Sequence, residues 1–267
     1  LTRRFASQGW PVIGFNRTQS VAEDLTNEGV LKSAASIQDL AAALRPPRVI
    51  WLMLPAGKPT EEMIFGKNGL SRILQKGDIL IDGGNAFYKD SIRRHKLLAK
   101  QGINFVDVGV SGGPGGAFSG PSLMIGGDKR IFRRLEPLFA DTAGNKGYEF
   151  FPGPGAGHFI KMIHNGIEYG MMQAIAEGFT IIKKSSYNFD LKRAARIYNR
   201  GSVIDSRLVN WLEGAFALHG DNLKKVTGRV KHTGEGEWTV KTANEMKIKA
   251  KIIEGALKFR KLSEKNP

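Results

Sequence analysis

The chain has 267 residues, 41% of them apolar, and no cysteine. That is enough for one large core or two smaller ones, and it excludes a disulfide framework or a thiolate metal site. No run approaches the roughly 20 apolar residues of a membrane helix, which argues against a membrane role, while the formal charge of +15 calls for an anionic partner such as nucleic acid, acidic lipid or a phosphorylated metabolite.

Up to about residue 151, short apolar runs alternate with amphipathic stretches, the pattern of a mostly parallel sheet covered by helices. The chain opens inside a helix that ends at Gly9. Strands are expected at 12–15, 49–54, 79–81, 105–108, 123–125 and 148–151, with helices between them opened by Ser20 before 21–28 and by Ser36 before 37–44. This half (1–151) reads as a doubly wound, Rossmann-like dinucleotide-binding domain. Such a domain needs a first strand and a G-x-G-x-x-G turn that are not seen, so about 20 further residues are expected upstream.

The Pro152-Gly153-Pro154-Gly155 punctuation marks a boundary, and 152–267 has helical period throughout. Helices are expected at 158–184, 191–198, 205–218 and 239–262, an all-helical domain for substrate binding and dimerisation. The densest basic run, from Lys241 to Lys261, reads as a solvated helix face. Without zinc-finger spacing or an RNA-binding sheet pattern, no nucleic-acid partner is predicted. Lacking also a signal-peptide pattern, the sequence predicts a cytoplasmic protein.

Four sites carry candidate chemistry. Asn16-Arg17-Thr18 follows the strand at 12–15, where a dinucleotide enzyme places its ribose discriminator. The absence of an acid, with a guanidinium for a 2′-phosphate, points to NADP rather than NAD; a polar turn with a solvated arginine reads the same. Asp82-Gly83-Gly84-Asn85 ends a strand, and Asn85 is placed to bind both cofactor and substrate, although a structural asparagine is equally compatible. Gly109 to Gly116 has five glycines in eight positions, so its backbone N–H groups can approach an anion closely and Ser111 adds a hydroxyl. A loop that holds a carboxylate or phosphate is expected there.

The fourth site is Lys161-Met162-Ile163-His164-Asn165-Gly166-Ile167-Glu168-Tyr169. Positions 161, 164, 165 and 168 follow i, i+3, i+4, i+7 and share one helix face. The remaining faces are apolar, so this polar face is costly unless its groups are paired or functional. An ion-paired structural helix is the alternative.

This run, with Ser111-Gly112-Gly113 and Asn16-Arg17-Thr18 in the same order and spacing, resembles the 6-phosphogluconate dehydrogenase family. Related β-hydroxyacid dehydrogenases look like Lys-x-x-x-Asn at this helix and lack the His and Glu pair. The C-terminal half resembles the shorter bacterial branch, as Gly201-Ser202-Val203-Ile204 and Gly236-Glu237-Trp238-Thr239 also suggest.

The resemblance implies an NADP-dependent oxidative decarboxylation of 6-phosphogluconate to ribulose 5-phosphate without a metal. Lys161 would be the general base at the C3 hydroxyl, its pKa lowered by burial and nearby cations, and Glu168 the acid that protonates C1 of the enediol. His164 and Asn165 would position the hydroxyl, Ser111 and Gly113 the carboxylate, and Tyr169 the phosphate, with Gly112 and Thr239 also expected to bind substrate. Ala86 replaces the family's usual Ser, and Glu237 stands where the long branch has Lys. The long branch completes its phosphate site from a partner's tail; here Arg260, Lys258 or another basic residue of the last helix would substitute. A homodimer or homotetramer follows from the same resemblance. The alternatives are another β-hydroxyacid dehydrogenase, or a non-catalytic remnant of the fold.

Overall fold

The computed structural model describes residues 1–230 and 233–265, which divide into two compact units, Leu1–Met162 and Ile163–Pro267. The first unit carries the strands β1 (Ile13–Gly14), β2 (Lys32–Ser33), β3 (Val49–Leu52), β4 (Ile79–Asp82), β5 (Asn104–Ser111), β6 (Ser122–Gly127) and β7 (Tyr148–Pro152). Among them run α1 (Thr2–Ser7), α2 (Gln19–Asn27), α3 (Ile37–Ala42), α4 (Lys58–Phe65), α5 (Tyr88–Ala99), α6 (Gly113–Ser119) and α7 (Lys129–Thr142). Helix α8 (Ala156–Lys184) runs from the first unit into the second, which adds α9 (Leu191–Tyr198), α10 (Arg207–His219), α11 (Glu235–Glu245) and α12 (Lys251–Lys265). Among the described residues no strand follows Pro152.

The sheet is in two parts. β1 and β2 pair in parallel, and β3-β4-β5-β6-β7 form a five-stranded sheet in which only β5 and β6 are antiparallel. Strand periodicity sorts its side chains to two faces. Ile79, Ile81, Val106, Val108, Leu123 and Ile125 are buried with Ile131, Leu135 and Phe139 of α7 on one side. The intervening Leu80 and Phe105, with Ile50 and Leu52, pack with Ile64 of α4 and Leu98 of α5 on the other. Helices thus cover both faces, as a doubly wound domain requires.

Several expectations are corrected. β5 runs through Ser111 rather than stopping at Val108, because residues 107–111 pair with β6. The glycine run beyond it closes into the short helix α6 instead of a loop. Helix α2 begins after Thr18, so Ser20 lies inside it, whereas Ser36 does cap α3, accepting from the Asp39 N–H. The single helix expected at 239–262 is two helices, α11 and α12. Lys247 has a φ of 60°, which no helix continues through, and the Ile248 N–H returns to Ala243 O at 2.8 Å as at a helix C-terminus.

Candidate active site

In the first unit, the candidate residues sit at strand ends. Asn16, Arg17 and Thr18 are exposed beyond β1, and the Thr18 N–H donates to Asn16 Oδ1 at 3.1 Å, an Asx turn that presents the Arg17 guanidinium to solvent. No carboxylate occupies the turn, which could receive the ribose end of a nicotinamide dinucleotide. Beyond β4, Gly83 and Gly84 are buried and Asn85 is exposed. The Gly84 N–H donates to Asp82 Oδ1 at 3.2 Å. Asp82 Oδ2 accepts from Arg94 Nη1 at 2.9 Å, and Arg94 Nε donates to Glu61 at 2.7 Å. Asp82 and Arg94 are both fully buried, so the Asn85 turn is anchored by an ion pair without solvent.

The start of α8 lies directly on the sheet. Asp107, fully buried on β5, accepts from the Gly155 and His158 N–H groups at 2.7 and 2.8 Å, which satisfies donors left over at the helix N-terminus. His158 Nδ1 is 2.7 Å from Ser91 Oγ of α5. Three glycines permit the close approach. A Cβ on Gly157 would lie 2.6 Å from Asp107 O, one on Gly126 2.7 Å from Asp107 Oδ2, and one on Gly109 2.9 Å from Lys161 Cγ. Lys161, 7% exposed, therefore runs its stem over bare backbone of β5, two residues before Ser111. Gly112 and Gly113 both have positive φ, 146° and 64°, the conformation that glycine adopts without strain.

In the second unit, α8 turns a polar face to α11. His164 Nδ1 is 2.9 Å from Asn165 Oδ1, and Asn165 Nδ2 donates to Glu235 Oε1 at 3.1 Å. Glu235, 1% exposed, also accepts from Thr233 Oγ1 at 2.6 Å. Thr239 is buried and donates from Oγ1 to Glu235 O at 2.8 Å. A Cβ on Gly166 would stand 2.7 Å from Thr239 Cγ2, so the glycine after Asn165 lets the two helices touch. Glu168, half-buried, has Oε2 3.8 Å from His164 Nδ1.

One turn on, Tyr169 is buried and the Arg260 guanidinium of α12 stands 3.5 Å from its ring centroid. A Cβ on Gly236 would be 2.6 Å from Tyr169 Cε2. Burial, and then the Glu235 carboxylate, push the Tyr169 hydroxyl above the ordinary phenol range. Burial holds the Arg260 guanidinium below its ordinary value, against the pull of Tyr169, Glu168 and Glu235. Of the basic residues considered for this end, Arg260 meets Tyr169, while Lys258 lies among the exposed residues of α12. Glu237, where a lysine was noted in the long branch, is ion-paired with Lys261.

Sequence reading did not single out Asp107, Ser91, His158 or Glu235. A buried Asp on an apolar strand is a signal available in the sequence; Glu235 carries none, because an acid in a first helical turn reads as an electrostatic cap.

A doubly wound domain followed by a helical unit is an architecture that nicotinamide-dinucleotide dehydrogenases use. Comparison with known proteins makes this specific. Residues 1–149 match the NAD binding domain of 6-phosphogluconate dehydrogenase and residues 157–267 its C-terminal domain. The chain is 35% identical over 251 residues to the NAD(+)-dependent, decarboxylating 6-phosphogluconate dehydrogenase of Haloferax volcanii, covering 94% of this chain and 82% of that protein. It is 39% identical over 258 residues to YqeC of Bacillus subtilis, named only provisionally as a 6-phosphogluconate dehydrogenase, covering 97% and 85%.

The chain belongs to the 6-phosphogluconate dehydrogenase family. It spans about half the length of longer relatives: the decarboxylating enzyme of Schizosaccharomyces pombe is 38% identical over 97% of this chain but only 55% of its own length. Plasmodium falciparum 6-phosphogluconate dehydrogenase, solved in apo form and with NADP+ or 6-phosphogluconate, superposes with a TM-score of 0.88 at 29% identity, over 98% of this chain and 59% of that one. A 3-hydroxyisobutyrate dehydrogenase of Salmonella typhimurium, at 18% identity and a TM-score of 0.81, shares the fold.

Proposed function

We propose that the chain oxidises and decarboxylates 6-phosphogluconate to ribulose 5-phosphate and CO₂. NADP is the preferred hydride acceptor, and it supplies the oxidation when bound. The observation that carries this reading is the α8 run from Lys161 to Tyr169, in which a nearly buried lysine, a His-Asn pair and a carboxylate follow one another at i, i+3, i+4, i+7.

Lys161 accepts the C3 hydroxyl proton as the C3 hydrogen leaves with its electron pair. The protonated ammonium then hydrogen-bonds the new C3 carbonyl, which draws in the electrons of the C1–C2 bond as CO₂ departs. The first step needs the neutral amine, and the stem that carries it is buried against β5. Glu168 acts as the general acid that returns a proton to the enediol carbon. Its half-burial leaves the carboxyl able to exchange that proton with water between turnovers.

The remaining residues bind and orient. His164 and Asn165 hold the C3 hydroxyl, Ser111 with the Gly112 and Gly113 backbone holds the carboxylate, and Tyr169, Thr239 and Arg260 receive the phosphate. Asn85 bridges substrate and cofactor, and Asn16, Arg17 and Thr18 receive the adenosine ribose with its 2′-phosphate. The Haloferax relative's name, which specifies NAD(+), makes Arg17 the residue to test for this preference.

Turnover of 6-phosphogluconate is followed by the absorbance of the reduced nicotinamide, with NADP and NAD in parallel and with 3-hydroxyisobutyrate as a substrate control. The expected result is NADP reduction with 6-phosphogluconate, lost in Lys161→Ala. Equal rates in the wild type and Lys161→Ala, or turnover of 3-hydroxyisobutyrate alone, would overturn the assignment.

A further inference from the structure

Helix α6, which connects β5 to β6, lacks the usual supports of a helix. Three of its seven residues are glycines, among the poorest helix formers. So short a helix holds in a protein chiefly by packing an apolar face on the core, and among its described residues none is buried. Its one large apolar side chain, Phe118, is 61% exposed. Gly112, at the N-cap position, has no side chain to offer the first turn.

The two ends of the segment, by contrast, are fixed. Ser111 pairs with Ser122 across β5 and β6, so residues 112–121 leave the sheet and return to it at one place. Gly112 before α6 and Gly120 after it have φ of 146° and 111°, conformations that glycine adopts without strain. A Cβ on Gly120 would lie 2.6 Å from Gly144 Cα, and the Gly144 N–H donates to Pro121 O at 3.1 Å. The far end thus rests on the backbone that follows α7. A weakly held helix between two glycines, on a pinned base, has the build of a hinged segment.

We infer that α6 is a flap that opens by local unfolding between Gly112 and Gly120 and is closed by the substrate carboxylate. This rests on the reading that Ser111, Gly112 and Gly113 hold that carboxylate. Gly112 is one hinge and Gly113 the first residue of α6, so a carboxylate held there makes contacts that only the closed form offers. A ligand shifts a conformational equilibrium by such a difference in affinity.

The test is hydrogen exchange at single amides, followed by nuclear magnetic resonance without cofactor, so that no turnover occurs. The Gly116 and Gly120 N–H groups donate to Gly112 O and Gly116 O at 3.1 and 3.0 Å; amides 116–120 therefore report on α6, and those of β6 on the sheet. In the free protein the α6 amides are expected to exchange on the order of 10²-fold faster than those of β6 or more, because local opening is far less costly than global unfolding. Gly115→Ala places a Cβ that meets nothing within 4 Å and is expected to slow α6 exchange about five-fold, and Ala117→Gly to speed it about five-fold, the ratio set by the two residues' helix propensities. With 6-phosphogluconate at about 100 times its Kd, α6 exchange is expected to slow by roughly 10²-fold, the factor for a ligand bound only to the closed form.

Free-protein α6 amides as slow as those of β6, exchange unmoved by both substitutions, or exchange unmoved by 6-phosphogluconate in protein that turns it over would each overturn the inference. Failure of the catalytic reading is separate: addition of NADP would then give no reduced nicotinamide, with the fast, substitution-sensitive exchange of α6 intact.

Discussion

Replacing Gly109 by alanine adds a single methyl group where β5 and the Lys161 stem touch. The backbone of β5 is extended at this point, so an alanine is strained by space alone. Its Cβ would stand 2.9 Å from Lys161 Cγ, with Lys161 Cβ nearer still, and 3.2 Å from Gly157 O. Ordinary carbon–carbon contact begins near about 3.5 Å, so α8 must retreat by roughly 0.6 Å or more, or Lys161 must leave its rotamer. Overpacking of this kind costs about 1–3 kcal/mol, and at a stability slope of about 2–4 °C per kcal/mol for a unit of this size the melting temperature is expected to fall by roughly 2–12 °C.

The larger effect is on chemistry, because misplacing a catalytic group by about 1 Å costs on the order of 10²-fold in rate. Gly115→Ala is the control, since a Cβ there meets nothing within 4 Å. Calorimetry and steady-state kinetics on the two variants decide the matter. A Gly109→Ala protein with wild-type melting temperature and kcat would refute the argument that Lys161 is placed by contact with β5.

Three further outcomes follow from particular contacts. Arg94→Met leaves Asp82 as a buried carboxylate without its cation and is expected to cost about 3–5 kcal/mol, measured as a shift of the urea midpoint at unchanged slope. Burial alone would raise the Asp78 pKa, but the Gln75 and Arg48 N–H groups and the Arg48 guanidinium outweigh it and hold it below the ordinary aspartate value. The stability this gives is fully present above the unfolded value near about 3.9 and is lost as pH falls through the lower folded value, so Asp78→Asn is expected to flatten the acid limb of urea midpoints measured between about pH 5 and pH 2. Arg260→Lys gives up a guanidinium stacked on a buried ring, worth about 1–2 kcal/mol, and is expected to raise KM for the phosphorylated substrate roughly ten-fold with kcat little changed, whereas Lys258→Ala moves neither.

The sheet was legible because its strands repeat with period two: Ile79 and Ile81 face one core and Leu80 the other, and no helical pattern fits so short a run. Helix α8 was legible because its polar positions recur at helical spacing over about two turns, and α9 because Asp190 announces its start and accepts from the Arg193 N–H. β2, two residues long, has no pattern to read; pairing with β1 alone makes it a strand. The α11–α12 break was hidden because Lys247 looks like any helix-forming lysine, and nothing in its residue type announces a φ of 60°. The same limit applies to the site. Lys161 and Glu168 declare themselves by spacing on one helix, but Glu235 reaches Asn165 across 70 positions, and Arg260 reaches Tyr169 only because α12 folds back along α11.

The central claim, that this chain couples oxidation of a sugar acid to loss of its carboxyl carbon, is tested most directly by supplying 6-phosphogluconate labelled with ¹⁴C at C1 and counting released CO₂ against NADPH formed. The account predicts one CO₂ for each NADPH in the wild type and neither product in Lys161→Ala. NADPH formed without labelled CO₂ would contradict it, leaving a hydroxyacid dehydrogenase that does not decarboxylate.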